Sequence, residues 1–81
     1  MQAMKLWLVE IRLKDWKPDF SALPSRVLGY EEVEALDDYS ARHTGFDQFK
    51  RRATYEPRLK EKLSQLGLTH LDYCAPDAVS L

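Results

Sequence analysis

Three residues near the C-terminal end carry the most suggestive chemistry in the chain: His70, Asp72 and Cys74. Imidazole, carboxylate and thiolate are all zinc ligands. At two-residue steps on a strand they would share one face, but successive same-face positions lie ~7 Å apart. That spacing is too long for three bonds of ~2 Å to one ion, and only His43 is left as a fourth ligand. Cys74 with His70 as base also reads as a nucleophile pair. It lacks an orienting group and an oxyanion hole. The acid pair Asp37-Asp38 sits at adjacent positions that point apart on a helix. The three glycines, Gly29, Gly45 and Gly67, form neither a phosphate-cradling loop nor a dinucleotide fingerprint. These residues argue against catalysis, and no cofactor or metal is expected.

Charge is the second source of chemistry. The formal net charge of -1 hides an acidic block followed by a basic one. Glu31, Glu32, Glu34, Asp37 and Asp38 fall between residues 31 and 40, with no base among them. Arg42, Lys50, Arg51, Arg52, Arg58, Lys60 and Lys62 follow, with Tyr55 between them. Basic side chains interleaved with aromatics can grip phosphates and stack bases, so residues 42 to 62 offer a nucleic-acid-binding module. Its candidate contacts are Arg42, Lys50, Arg51, Arg52 and Arg58. Against this, three consecutive basic residues splay around a helix, the whole chain is not basic, and no helix-turn-helix, zinc-finger or sheet-aromatic motif is present. The acidic block, with Glu31, Glu34 and Asp38, fits a charged rim for a protein contact. Trp16, Phe20 and Leu23, apolar for a loop, are expected to fold back over an open edge or face of the sheet. The functional alternative makes Trp16 and Phe20, with Tyr39, aromatic anchors of the kind that dominate such contacts.

These residues need a scaffold. Its organising stretch is Met4 to Leu13, the longest apolar run. At period two, Trp7, Val9, Ile11 and Leu13 share one face, and Met4, Leu6 and Leu8 the other. The β-branched and aromatic residues favour a central strand with Glu10 and Arg12 toward water. Residues 14 to 24 hold Pro18 and Pro24 and no sustained period, which marks a loop. Residues 25–30 are a candidate second strand, weakened by Gly29. A helix is expected over 30–44, with acids in its first turn, Arg42 and His43 in its last, and Gly45 as the stop. A short helix over 47–54 would be capped by Asp47 and bury Phe49 and Ala53. A third, over 55–66, has Pro57 in its first turn and Leu59, Leu63 and Leu66 in line. Gly67 and Leu68 then close it in a Schellman motif. Residues 68–74 alternate as a final strand.

The expected fold is α+β: a sheet of two or three strands, near 4–13, 68–74 and 25–30, covered on one face by about three helices. The length of 81 residues suits one domain spanning 1–81. Apolar residues at 44% and charged residues at 31% are globular proportions. No apolar run nears the ~18 residues of a membrane helix. No signal-peptide layout appears, and one cysteine permits no internal disulfide; both fit a cytoplasmic home. A chain this short gains little from its own core, so a homodimer or a partner would add stability. By elimination the sequence reads as a small non-catalytic interaction protein, a regulator or inhibitor that binds a protein partner. Its size and style resemble those of small phage and mobile-element proteins, an analogy only. The nucleic-acid-binding module is the alternative.

Overall fold

The apolar run from Met4 does form the centre of the molecule. In a computed structural model describing residues 3–14 and 27–81, β1 (Lys5–Leu13) is the middle strand of a three-stranded antiparallel sheet. β2 (Val27–Ala35) pairs on one side and β3 (Tyr73–Ser80) on the other. Between β2 and β3 run α1 (Asp38–Tyr55) and α2 (Pro57–Gln65). The class is α+β as expected, with two helices rather than three among the described residues. Trp16, Phe20 and the start of the 25–30 strand lie outside the described residues.

The odd-numbered side chains of β1 face the helices. Val9, Ile11 and Leu13 are buried, and the half-buried Trp7 donates its indole N–H to the Ala35 carbonyl at 3.1 Å. Opposite them on β2, Glu31, Val33 and Ala35 point inward while Tyr30, Glu32 and Glu34 point out. Residues 30–35 are therefore strand, not the start of a helix over 30–44. The acids that fit a helical first turn fit strand alternation equally well, and pairing with β1 decides between them. Leu28 is buried beside a register shift, where Arg12 pairs with Val27 and Ile11 with Gly29. A second shift in β3 places Pro76 in an irregular stretch of an edge strand, where a missing N–H is tolerated.

α1 begins later than expected and ends later. Asp37 is its cap, accepting the Ser40 backbone N–H at 2.8 Å. The helix then runs straight through Gly45, so the expected stop there, and the separate helix over 47–54 capped by Asp47, are both corrected. Gly45 has no positive φ. It is glycine because the helix crosses the sheet there: a Cβ would sit 2.6 Å from the Val9 Cβ. Four residues on, Phe49 is buried against Tyr73, ring edge to face at 5.2 Å, and Phe46 meets the same ring at 5.5 Å.

Glu56 separates the helices in an extended conformation, as a residue before proline prefers. Pro57 takes the first position of α2, so the helix expected over 55–66 starts at 57. α2 packs on α1. Leu63 is buried, with Leu59 and Leu66 against the same core. The exit is a Schellman motif: the Leu68 N–H donates to the Leu63 carbonyl at 2.9 Å and the Gly67 N–H to Ser64 at 3.0 Å. Gly67 has φ +68°. β3 starts only at Tyr73, so the expected strand over 68–74 gives way to a turn and a later strand.

Candidate functional site

That turn separates the sequence's chemical trio. The Asp72 carboxylate accepts the Thr69 backbone N–H at 2.8 Å and its hydroxyl at 3.2 Å, closing the turn that leads into β3. His70 lies inside the turn and Cys74 on the strand beyond it. The three share no strand face. Among the described residues, no group of three His, Cys, Asp or Glu side chains converges.

The basic candidates are likewise dispersed. Arg42 pairs with Asp38 at 2.6 Å, one helical turn back. It lies ten residues, about 15 Å, from Arg52 along α1. Lys50 faces Asp47 at 3.8 Å and hangs over the Phe46 ring. Arg51 is exposed on its own side of the helix. Arg52 turns toward the sheet and donates to Glu31 at 2.6 Å and to Glu56 at 2.8 Å. Those two carboxylates raise its guanidinium pKa above the ordinary value. Arg58 follows Pro57 in the first turn of α2, where it lines an open groove at the helix junction with Arg52, Glu56 and Lys62. Two carboxylate partners already hold the arginine in the middle of this set.

The acidic candidates divide by strand parity. Glu31 is only 4% exposed, and its second oxygen accepts the Gln48 side-chain amide at 2.9 Å. It is a buried ion-pair partner, not a rim residue. Glu34 is exposed on the outer sheet face. Asp38 and Tyr39 open α1. Tyr39 is exposed, with its ring 5.0 Å from His43. Both rings border an open groove of about 300 Å³ shared with Lys14, Arg42 and Cys74. The expected partner-binding residues among those described thus fall on separate surfaces.

The surface that does gather related side chains is the sheet face turned away from the helices. There β1 presents Leu6 and Leu8, with Met4 just before the strand. On β3, Val79 stands opposite Leu8, and the Leu81 N–H donates to the Leu6 carbonyl at 2.9 Å. Leu6 is 42% exposed, Val79 63% and Leu81 65%. On the other flank β2 sets Glu34 opposite Leu6, Glu32 opposite Leu8 and the exposed Tyr30 opposite Glu10. Asp77 faces Glu10 from β3, and Arg12 is ion-paired with Glu10 and 3.9 Å from Asp77. The face is an apolar field two strands wide with carboxylates along one side and one end. Sequence periodicity shows Met4, Leu6 and Leu8 on this side. Val79 and Leu81 join them only once the last strand is placed at 73–80. No helix among the described residues is long and apolar enough to cross a membrane. No family model, curated protein or solved structure matches this chain.

Proposed function

We propose that the protein is a small non-catalytic interaction module, a regulator or inhibitor that docks a protein partner on the open face of its sheet. One observation carries this reading: Leu6, Val79 and Leu81 expose neighbouring apolar surface on a sheet face that neither helix covers. Antiparallel sheets commonly leave one face to water, but that face is then polar. Neighbouring exposed apolar side chains rimmed by polar residues are instead the pattern of an interaction site. Burial of such a patch drives association, while the rim sets on-rate and specificity.

The test is copurification from the native host, followed by rebinding of the purified partner to wild type and to a Leu6→Asp, Val79→Asp variant. Both positions are exposed, so circular dichroism should show an intact fold. The expected result is a protein partner bound by wild type and lost in the variant. A partner that binds both alike would overturn the assignment of the face. Copurifying nucleic acid that disappears in Lys50→Ala, Arg51→Ala, Arg58→Ala would overturn the reading in favour of the basic helices. Arg52 is left out of that variant because it holds Glu31.

A further inference from the structure

We infer that the occupant of the open sheet face is a basic amphipathic helix, an inference that rests on the docking role proposed above. Charge decides against a second copy. The outward residues of the strands include four carboxylates, Glu10, Glu32, Glu34 and Asp77, against one guanidinium, Arg12. Arg12 is already paired with Glu10. Among the described residues, no basic side chain pairs with Glu32 or Glu34. Two such faces laid together would oppose like charges over a desolvated contact, which costs affinity. Lysine and arginine flanking an apolar stripe complement the same face.

Shape selects a helix. The apolar field spans the β1 and β3 rows, and adjacent strands lie ~4.8 Å apart. Two rows make a strip about 10 Å wide, the diameter of one helix. A partner sheet would also have to cover the β2 row, where Glu32 and Glu34 would be buried unpaired. Along β1, Met4 to Leu8 covers ~14 Å, matched by about nine helical residues. Apolar anchors at i, i+3 or i+4, and i+7 would then lie over Leu6, Leu8 and Val79. Basic residues one side of that stripe would reach Glu32 and Glu34.

The probe is a helical peptide of about 18 residues, leucine on one face and lysine on the other, beside its leucine–glutamate counterpart. Binding is followed by backbone amide shifts on the labelled full chain. The lysine peptide should move Leu6, Leu8 and Val79. It should bind at least about tenfold more tightly than the glutamate peptide, weaken with salt, and lose that preference in Glu32→Lys, Glu34→Lys. If both peptides bind this face alike, the charge inference falls and the docking role stands. If neither moves these amides, or Leu6→Asp leaves binding unchanged, both fall. A dimer seen by sedimentation and dissolved by Leu6→Asp overturns the helix in favour of a second copy.

Discussion

Gly45→Ala tests the packing of helix on sheet that leaves the other face open. On an exposed helix this substitution stabilises by ~1 kcal/mol, because alanine has the better helix propensity. Here the new methyl would lie 2.6 Å from the Val9 Cβ and Cγ1 and 2.8 Å from Cγ2. Ordinary carbon contacts are ~3.5–4.0 Å, so helix and strand must separate by about 1 Å. Val9 cannot yield: it is fully buried, β-branched, and offers its Cβ rather than a flexible tip. Overpacking of this kind costs ~1–3 kcal/mol, and a clash beside the backbone belongs at the upper end. Set against the propensity gain, the net loss is ~2 kcal/mol. Urea unfolding should show a lower midpoint with an unchanged slope, and the melting temperature should fall by roughly 8–16 °C for a chain this size. Thr44→Ala, one residue earlier and exposed, is the control and should be neutral or slightly stabilising. A Gly45→Ala protein as stable as wild type would refute the crossing of α1 over Val9. The docking face would then lose its structural basis.

Two further outcomes follow from the polar contacts. The Asp37 carboxylate is held below its usual pKa by the Ser40 backbone N–H, so the capped form is the ionised one. Its contribution is complete above the unfolded carboxylate pKa near 4 and is lost as pH falls through the lower folded value. The stability gap between wild type and Asp37→Ala, followed by urea titration, should therefore shrink on acidification, and Asp37→Asn should keep most of the cap without that pH dependence. Arg52→Ala leaves Glu31 buried with only Gln48 as partner; with the arginine itself partly exposed, the cost is about 1–3 kcal/mol in the same assay. A smaller loss in Glu31→Gln, Arg52→Ala than in Arg52→Ala alone would identify the unpaired carboxylate as the cause.

Features carried by local chemistry are legible in the sequence. The inward set Trp7, Val9, Ile11 and Leu13 follows from alternation, and the Leu59, Leu63, Leu66 line with Gly67 and Leu68 from helical spacing and capping. Pro57 likewise marks its own helix start. Features decided by distant contacts are not. Residues 27–35 form a strand because β1 pairs with them, although three glutamates and a tyrosine suit a helix as well. Gly45 looks like a stop until Val9 is seen beneath it. Glu31 reads as a surface acid because its partners, Gln48 and Arg52, lie 17 and 21 residues away. The open face was half visible: its β1 row follows from alternation, but its β3 row depends on where the last strand begins.

The buried ion pair and the docking face are consequences of one register. Strand side chains alternate, so a one-residue slip of β2 against β1 would exchange its two faces. Glu32 and Glu34 would turn toward the core, and Glu31 would turn out. The core holds a matched site for one carboxylate, built from Arg52 and Gln48 on a helix fixed by Gly45 and Phe49. It would then have to take two, with Tyr30 added and Val33 and Ala35 exposed. Burying an unpaired carboxylate costs far more than a surface pair returns, so the slipped sheet is excluded. A buried salt bridge is weak evidence for stability in itself, because desolvation offsets much of the attraction. Its effect here is on which residues face out. By holding Glu31 inward it keeps Glu32 and Glu34 beside Leu8 and Leu6, where a basic partner would meet them.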